Sequence, residues 1–343
     1  MSSSTLPPSS ISVFTTVASY REWRRKAFEE KKSVGYVATM GALHEGHLSL
    51  VRRSLAANDL TVLSIFVNPA QFAPHEDLAT YPRTLPHDLE LLDAMSLAVP
   101  SASPAGSVVR TPSAVFAPTV SEMYPAGISQ DTSEQKGTFV EVKGFAHQME
   151  GKSRPTFFRG VATVVTKLFN VIEPTRTYFG QKDIQQALLL RRLTQDLLLA
   201  HPHYENLHIV PTARDSETSL ALSSRNAYLS VHERAHVAPA LHAALQAAKQ
   251  VWGQHGSKEE CIRKAHAVVE ATAQNCMGLP EKVEVRVDYI EMNDAETFDV
   301  LSDDVTKSVW ERPVILSGAV WVGRTRLIDN IILGDARGLG VVE

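Results

Sequence analysis

Residues 33–67 read SVGYVATMGALHEGHLSLVRRSLAANDLTVLSIFV and decide the fold. The apolar, β-branched run Val34–Thr39 predicts a buried strand, and the pattern that follows predicts a helix from about Gly46 to Ala57. A second strand is predicted over Thr61–Val67. Strand, helix and strand in this order are typical of a βαβ unit, because parallel strands require a long crossover connection. The sequence therefore predicts an α/β protein.

Composition narrows the class of protein. The chain has 343 residues, with 34 Lys or Arg against 38 Asp or Glu, so its formal net charge is −4. This balance argues against a protein that binds nucleic acid or a membrane surface. No run of 18 apolar residues is present, which argues against a membrane span. With 44% hydrophobic residues the chain can bury a sizeable core, and its length favours two domains.

Two further features bear on the compartment. Cys261 and Cys276 are too few for a disulfide scaffold or a four-cysteine zinc site, and they fit a reducing compartment. The Ser-rich start reads either as a transit peptide or as a disordered tail, residues 1–11, ahead of a helix predicted over Val17–Glu30. A cytoplasmic location is the default expectation.

The following part of the chain continues the α/β pattern up to a boundary predicted near Pro211. Residues 101–112 and 127–137 are rich in Pro, Ser or charged residues and read as surface loops. Strands are predicted over Thr138–Val142, Thr175–Phe179 and Asn206–Val210, and helices over Gly160–Val171 and Ile184–Leu199. We expect residues 12–210 to form a Rossmann-like parallel-sheet domain.

The pattern changes after Val210. His236–Trp252 has apolar residues at helical spacing, and Ser257 followed by Glu260 fits a capping box at the start of a second helix. Alternation over Glu281–Ile290 predicts a strand, and two more are predicted over Pro313–Val322 and Arg326–Leu333. Residues 211–343 are therefore predicted to form a smaller α+β domain.

The loop between the first strand and the first helix carries His44 and His47. Open α/β sheets bind ligands at the carboxyl ends of their strands, and a helix N-terminus favours anions. Imidazoles can donate to phosphate oxygens, and Gly41 and Gly46 allow a nucleotide to approach the backbone. A zinc protease would need two His at i and i+4, whereas these lie at i and i+3. A turn whose His residues only satisfy local hydrogen bonds is the remaining alternative.

Two other segments carry candidate phosphate ligands. Lys182 follows a predicted strand and would point a cation at the same rim as the His pair, while Asp183 either accepts from a ribose hydroxyl or caps the helix. Gln186 lies one turn beyond Lys182 on the same helix face. The segment 222–226, LSSRN, offers two hydroxyls and a guanidinium as a polyphosphate clamp, although such a sequence is also common in turns and helix caps.

Residues 146–153, AHQMEGKS, superficially match a phosphate-binding P-loop. Pro155 disfavours helical geometry at Arg154, and Met149 and Glu150 would crowd a phosphate cradle. We interpret this match as chance.

Ten segments, in order from about Val34 to Asn330, resemble the pantoate–β-alanine ligase family. They are TMGALHEGH (39–47), FVNPAQF (66–72), YPRT (81–84), FAP (116–118), EMYP (122–125), EGKSRP (150–155), FRGVATVVTKLFN (158–170), FGQKDIQQ (179–186), LALSSRN (220–226) and TRLIDN (325–330). The H-x-G-H element also resembles the wider superfamily of class I aminoacyl-tRNA synthetases and nucleotidyltransferases.

The resemblance implies an ATP-dependent condensation of (R)-pantoate with β-alanine to pantothenate, through a pantoyl-adenylate, with release of AMP and pyrophosphate. The catalytic residues it implies are His44, His47, Lys182 and Arg225. The ATP-binding residues it implies are Met40, Gly41, His44, Gly46, His47, Gly180, Gln181, Lys182, Asp183, Leu222, Ser223, Ser224 and Arg225. Those implied for pantoate and β-alanine are Met40, Asn68, Gln71, Tyr81 and Gln186.

The resemblance further implies a homodimer and Mg²⁺ carried mainly on the ATP phosphates, with Asp88 as a carboxylate partner. It also implies that the domain of residues 12–210 binds ATP and pantoate and that the domain of residues 211–343 is a lid that closes over the ATP. The chain departs from the family pattern at several points: Ala38 replaces a Pro, Phe157 replaces a His, and Thr218-Ser219 replaces an Asp-Gly pair beside the clamp. The last change removes a glycine where the clamp is expected to move.

Two alternatives stay open at this point. One is a nucleotidyltransferase of the same superfamily that acts on another small, phosphate-bearing substrate. Gln71 and Gln186 argue against it, since uncharged amides are poor phosphate ligands and suit a hydroxy acid. The other alternative is a catalytically silent module that binds a nucleotide or dimerises.

Overall fold

A computed structural model describes residues 6–73, 78–100, 106–277 and 283–342 of the chain. The chain divides into two compact units. The first unit comprises Met1–Ala146, Arg154–Phe179 and Gln186–Val210, and the second comprises His147–Ser153, Gly180–Gln185 and Pro211–Glu343. Among the helices of the described ranges, none combines the length and apolar character that a membrane crossing requires.

The first unit is built on a six-stranded parallel sheet. The strands of this unit are β1 (Ser12–Phe14), β2 (Val34–Thr39), β3 (Leu60–Ile65), β4 (Leu97–Pro100), β5 (Ser107–Arg110), β6 (Ala114–Phe116), β7 (Arg176–Gly180) and β8 (Leu207–Val210). The order in the six-stranded sheet is β1-β6-β3-β2-β7-β8. β2 and β3 are buried almost throughout, as expected for a sheet covered on both faces. β4 and β5 form a separate antiparallel hairpin.

Helices cover this sheet. The helices of this unit are α1 (Val17–Glu29), α2 (Glu45–Ala57), α3 (Leu85–Asp93), α4 (Val120–Met123), α6 (Phe157–Ile172) and most of α7 (Ile184–Asp196). The short helix α5 (Glu150–Ser153) belongs to the second unit. α6 is buried along most of its length, with apolar residues on nearly every side. A glycine on this helix, Gly160, permits close contact with the turn Pro69–Gln71, and the Asn68 amide donates to the Gly160 carbonyl over 3.2 Å.

The second unit contains an antiparallel sheet of β9 (Val285–Asp294), β10 (Val314–Val322) and β11 (Thr325–Leu333), with β10 in the centre. α8 (Ala240–Gly253) and α9 (Lys258–Met277) pack with this sheet around one apolar core. The predicted capping box is confirmed: Glu260 N–H donates to Ser257 Oγ, and Ser257 N–H donates to the Glu260 carboxylate. The prediction of an α/β fold with a smaller α+β part is confirmed.

Several of the predicted helix and strand boundaries were wrong. Residues 138–142 form no strand, because Val140 exchanges its backbone hydrogen bonds with the Thr163 hydroxyl of α6 instead of with another strand. The predicted helix 184–199 ends at Asp196, and Leu198 adopts a left-handed φ of 51°. The predicted helix 236–252 is interrupted at Pro239, which has no N–H to donate; a π-helical turn precedes it and α8 follows.

The loop predictions had mixed outcomes. Residues 107–110, predicted as loop, form β5, whereas residues 101–105 lie outside the described residues. Residues 127–137 are irregular apart from one 3₁₀ turn, as predicted. At the end of the predicted tail, Ser10 donates to Asp93 and Ile11 is buried, while residues 1–5 lie outside the described residues. No element was predicted from the sequence for β1, β4, β6, α3, α4 or α5.

We expect Gly160→Ala to destabilise the protein by about 1–3 kcal/mol, the usual range for overpacking a filled interior. A Cβ at this position would collide with the Ala70 carbonyl and push α6 away from the Pro69–Gln71 turn. The free energy of unfolding from urea titration measures the effect. Gly253→Ala, at the end of α8 where no atom lies within 4 Å of the added carbon, is the matched control and should change little. Equal stability of the two variants would contradict the assignment.

Candidate active site

The loop after β2 is shaped by a buried carboxylate on α3. Asp88 accepts the backbone N–H groups of Ala42 (3.1 Å) and Leu43 (2.7 Å) and the Thr84 hydroxyl (3.2 Å). Gly41 and Ala42 both have positive φ, 83° and 50°, so the chain turns tightly here. Burial raises the pKa of Asp88, and its hydrogen bonds offset part of that rise. This carboxylate therefore holds the loop that leads from Met40 into the histidine pair.

His44 and His47 both use Nδ1 as a local acceptor. His44 is the N-cap of α2, and its Nδ1 accepts from Gly46 N–H over 3.1 Å; His47 Nδ1 accepts from His44 N–H over 3.4 Å. The two ring centroids lie 4.1 Å apart. A nitrogen that accepts a hydrogen bond carries no proton, so each neutral imidazole has its proton on Nε2.

Two Nε2–H donors thus stand at the N-terminus of a thirteen-residue helix, where backbone amides and the helix dipole also favour negative charge. The local hydrogen bonds described above engage Nδ1 of each ring. Within the residues that the structure describes, no group of three His, Cys, Asp or Glu side chains could hold a metal ion. The arrangement suits a phosphate or another oxyanion.

A buried amide network lies beside this loop in the first unit. Asn68 is 1% exposed; its amide donates to Gln71 Oε1 (3.1 Å), and its Oδ1 accepts from the Tyr124 hydroxyl (2.7 Å). Because Gln71 Oε1 is an acceptor in this contact, the Gln71 amide nitrogen is directed away from Asn68, and it lies 3.2 Å from Met40 Sδ. Gln71 is partly buried and presents donors to any acceptor bound near Met40.

Three other predicted residues of the first unit have less specific surroundings. Tyr81 is buried and packs edge-on against Phe72, with ring centroids 5.7 Å apart. Gln186 is partly buried on α7, and Gly46 is partly buried in the first turn of α2. Neighbouring strands β2 and β7 are parallel, so their carboxyl ends lie at the same edge of the sheet, the edge from which the histidine loop emerges.

In the second unit, Gln181, Lys182 and Asp183 form a single 3₁₀ turn that starts at Gly180. Lys182 Nζ lies 3.6 Å from an Asp183 carboxylate oxygen, and the Asp183 side chain is half exposed. The backbone of this turn is held by the Asn330 side chain of β11. The turn therefore presents one ammonium group from a backbone that a neighbouring strand holds.

The predicted clamp is a second 3₁₀ turn of the same unit. Ser223 Oγ accepts from Arg225 N–H over 3.3 Å and so caps the turn Ser224–Tyr228, as the local reading of this sequence also allows. Leu222, Ser223, Ser224 and Arg225 are all partly buried. One small cavity of this unit is lined by side chains that include Lys182, Ser223, Arg225, His242 and Asp329. The structure thus brings the predicted lysine and part of the clamp to one cavity.

The P-loop-like segment 146–153 contains a carboxylate that forms an ion pair inside the second unit. Met149 is buried with a φ of 45°, and Glu150 forms a two-pronged ion pair with Arg326, at 2.8 and 2.9 Å. Glu150 also accepts from the Tyr289 hydroxyl over 3.0 Å. A carboxylate committed to these partners anchors the segment within the second unit, in agreement with our interpretation of the match as chance.

The departures from the family pattern are accommodated locally. Phe157 packs under the Arg154 guanidinium, 3.8 Å from its ring centroid, and Arg154 donates to the Gln71 carbonyl. Ser219 keeps a positive φ of 61°, the left-handed conformation that a glycine would adopt without strain. The Asp215 carboxylate stabilises this turn by accepting from Thr218.

Sequence reasoning missed the supporting residues. It assigned no role to Tyr124, Asp329 or Asn330, although each lies in a segment that carried the family resemblance. The available signal was the pair of adjacent polar residues, Asp329-Asn330, inside an apolar strand. A buried polar side chain needs a partner, so such a pair indicates a defined hydrogen-bonding task.

Comparisons with known proteins bear on the same site. The family model described as pantoate-beta-alanine ligase matches residues 12–332. The pantoate–beta-alanine ligase of Saccharomyces cerevisiae is 39% identical over 94% of this chain and 99% of its own length. The pantothenate synthetase of Moorella thermoacetica is 42% identical over 93% and 97% of the two chains.

Solved structures show the same likeness. The crystal structure of pantothenate synthetase from Thermus thermophilus has a TM-score of 0.71 and 38% identity, covering 94% of this chain and 99% of that one. The pantoate-beta-alanine ligase from Francisella tularensis, solved in complex with beta-gamma ATP and beta-alanine, has a TM-score of 0.64 and 26% identity, covering 94% and 98%.

We expect Asp88→Asn to remove a pH dependence of stability. Because the pKa of Asp88 is raised, the folded protein binds this proton more tightly than the unfolded chain does. The free energy of unfolding of the wild type, minus that of the variant, should therefore fall as the pH rises from the ordinary Asp pKa to the raised one. Urea titrations at a series of pH values measure this difference.

Asp335→Asn is the matched control, with the opposite sign. Its hydrogen bonds to Arg337 lower the pKa of the exposed Asp335 to about 2, so the corresponding difference should rise with pH between that value and the ordinary one. An Asp88 difference that rises with pH would contradict the assignment of a raised pKa.

Proposed function

The chain belongs to the pantoate–β-alanine ligase family, and we propose on that premise how its residues carry out the ATP-dependent condensation of (R)-pantoate with β-alanine to pantothenate. In the first step, a carboxylate oxygen of pantoate attacks the α-phosphorus of ATP and pyrophosphate leaves. In the second step, the amine of β-alanine attacks the acyl carbon of the pantoyl-adenylate, AMP leaves, and the amine loses a proton. The paired Nε2–H donors at the start of α2 carry this proposal.

The histidine pair supports the first step. The α-phosphorus gains a fifth oxygen neighbour in the transition state, and negative charge moves onto the phosphate oxygens and the leaving pyrophosphate. We assign His44 and His47 as donors to these oxygens, with Gly41 and Gly46 leaving room for ATP beside the backbone. Donors held in place by Nδ1 contacts need no rearrangement as the charge develops, which is what makes such stabilisation effective.

We assign the cations of the second unit to the phosphates. Lys182 would neutralise α-phosphate oxygens, while Ser223, Ser224 and Arg225 would hold the outer phosphates. Gly180, Gln181, Asp183, Leu222 and Met40 would line the adenosine and backbone contacts that the family pattern implies. A chain of net charge −4 needs such local cations, because both ATP and pantoate are anions.

We assign Gln71, with Asn68, Tyr81, Gln186 and Met40, to pantoate. The hydrogen bond from Asn68 to Gln71 Oε1 directs the Gln71 amide nitrogen, which also donates to the weak acceptor Met40 Sδ, toward the hydroxyl or carboxylate oxygens of the substrate. An amide supplies these donors without adding a fixed positive charge that would hold the carboxylate back from the phosphorus.

We propose that Mg²⁺ arrives on the ATP phosphates. The groups assigned to the ATP phosphates are imidazole, ammonium, guanidinium and hydroxyl, whereas Mg²⁺ prefers anionic oxygen ligands. The Asp88 oxygens accept Ala42 and Leu43 N–H, which gives this carboxylate a task in loop geometry. Its part as a partner of Mg²⁺ stays a prediction.

We further propose that the protein is a homodimer, on the basis of the family resemblance. We propose a cytoplasmic location because both cysteines are free thiols, as is usual in a reducing compartment. The division into an ATP- and pantoate-binding domain over residues 12–210 and a lid over residues 211–343 also stays a prediction.

Pyrophosphate exchange into ATP tests the proposed reaction. We expect exchange that requires pantoate and does not require β-alanine, because the adenylate forms before the amine reacts. A phosphate-bearing acceptor offered in place of pantoate should give none. Gln71→Leu should raise the pantoate KM, whereas Gln195→Leu, an exposed amide on α7, should not. Exchange that proceeds without pantoate would contradict the ligase assignment and favour a nucleotidyltransferase.

Substitutions at His47 test which ring nitrogen acts. His47→Ala should lower the exchange rate about 10²- to 10³-fold, as removal of one oxyanion donor does. A Gln side chain places its amide nitrogen near the position of Nε2, and an Asn side chain places it near Nδ1. We therefore expect His47→Gln to keep more exchange activity than His47→Asn, with exposed His203→Ala as control. The reverse order would assign the reacting role to Nδ1.

A further inference from the structure

Asp329 and Asn330 are adjacent residues of β11, and both are buried, 4% and 2% exposed. Successive side chains of a strand point to opposite faces, so the two side chains reach different neighbours. One contacts the Lys182 turn and the other contacts the chain that leads to the Ser223–Arg225 clamp. Both contacts lie within the second unit.

Asn330 holds the Lys182 turn by its backbone. Its amide donates to the carbonyls of Gln181 (2.8 Å) and Lys182 (2.9 Å), and its Oδ1 accepts from the Gln181 side chain (3.3 Å). A turn of three residues has few hydrogen bonds of its own, so a rigid strand that supplies two donors determines where its backbone lies. The base of the Lys182 side chain is thereby fixed.

Asp329 holds the other segment through Arg214. The two carboxylate oxygens accept from both guanidinium nitrogens of Arg214, at 2.7 and 2.8 Å, and one of them lies 3.3 Å from His242 Nδ1. Burial raises the pKa of Asp329, but the contacts with His242 and Arg214 outweigh it and keep the carboxylate ionised. A two-pronged, charge-assisted pair of this kind fixes orientation as well as distance.

Arg214 in turn braces the hairpin that precedes the clamp. It pairs with Ala221 in an antiparallel bridge, and its guanidinium donates to the Ser219 carbonyl over 3.2 Å. Ser223 follows two residues after Ala221. Asp329 therefore acts on the clamp through Arg214, whereas Asn330 acts directly on the lysine turn.

We propose that Asp329 and Asn330 are positioning residues of the adenylation step, which set the Lys182 turn and the Ser223–Arg225 clamp from one rigid strand. This inference rests on the proposed function. Phosphoryl transfer depends mainly on position and charge neutralisation, and a misplacement of about 1 Å can cost roughly 10²-fold in rate. Two cation-bearing segments from distant parts of the chain must be held at a fixed distance from each other. Adjacent residues on β11 do this, because Asn330 is hydrogen-bonded to the lysine turn and Asp329 to the chain that leads to the clamp.

The proposal predicts different kinetic signatures for the two neighbours. Asn330→Ala should lower kcat of pantoate-dependent exchange about 10- to 100-fold with a small change in the ATP KM, because Lys182 is assigned to the reacting phosphate. Asp329→Asn should raise the ATP KM about 10-fold or more, because the clamp is assigned to the outer phosphates. Asn330→Asp keeps the size of the side chain but loses both donors, and it should resemble Asn330→Ala.

Asn293→Ala is the matched control. Asn293 is also fully buried in the same sheet, on β9, but its amide donates to the Phe298 carbonyl. Its loss should lower the free energy of unfolding to a similar extent and leave kcat and the ATP KM unchanged. If the Asn330 variants lose stability as Asn293→Ala does, with kinetics equally unaffected, the proposal is overturned.

A double-mutant cycle tests whether Asp329 acts on the clamp through Arg214. The Arg214 side chain is more exposed than that of Asp329, so a variant at Arg214 can still be measured if Asp329→Asn folds poorly. Arg214→Gln should raise the ATP KM as Asp329→Asn does, and the double variant should be no worse than either. Additive effects, or an Arg214→Gln variant with an unchanged KM, would overturn this route. Absence of pantoate-dependent exchange in the wild type would instead refute the proposed function itself.

Discussion

Backbone N–H groups at the start of a helix lack carbonyl partners in a preceding turn, and here those of His44 and Gly46 each donate to an imidazole Nδ1. This single constraint sets the chemistry of the histidine loop. Ser, Asp or Asn at these positions would cap the helix equally well, but none of them would leave a second ring nitrogen with a proton pointing onward. Because His44 and His47 accept at Nδ1, helix capping and the orientation of the Nε2–H donors are the same interaction.

Other short loops that carry a candidate ligand are also held by hydrogen bonds from a buried side chain. Asp88 holds the 41–43 loop, Asn68 holds Gln71, and Asn330 holds the Lys182 turn, each through backbone or amide hydrogen bonds from a buried side chain. These supports are buried, so breaking one leaves unpaired polar groups in the interior, which costs more free energy than a surface contact does. Loops that would otherwise move are thereby given defined positions, and reactive groups can be presented from irregular backbone.

The order of elements could be predicted from the sequence because the core strands and helices have strong local patterns. Val34–Thr39 is continuously apolar, and residues 45–57 show helical spacing. Two of the errors occurred where a distant group decided the local structure. Val140 found its hydrogen-bond partner in the Thr163 hydroxyl, and residues 107–110 became a strand because β4 offered an antiparallel partner. No local pattern reports such a partner, and strands of three or four residues such as β1 and β6 are too short to show a period.

For the site, the sequence by itself determined which residue types stand at the ends of β2 and β7. The resemblance of ten ordered segments to the pantoate–β-alanine ligase family then implied an adenylate-forming ligase. The sequence did not determine the tautomer of either histidine, the direction of the Gln71 amide, or the reason for Asp329 and Asn330. Those properties depend on hydrogen bonds between residues far apart in the chain, such as the 149 positions that separate Gln181 from Asn330. Only the tertiary structure brings such groups within bonding distance, and only then does a polar residue in an apolar strand acquire a defined task.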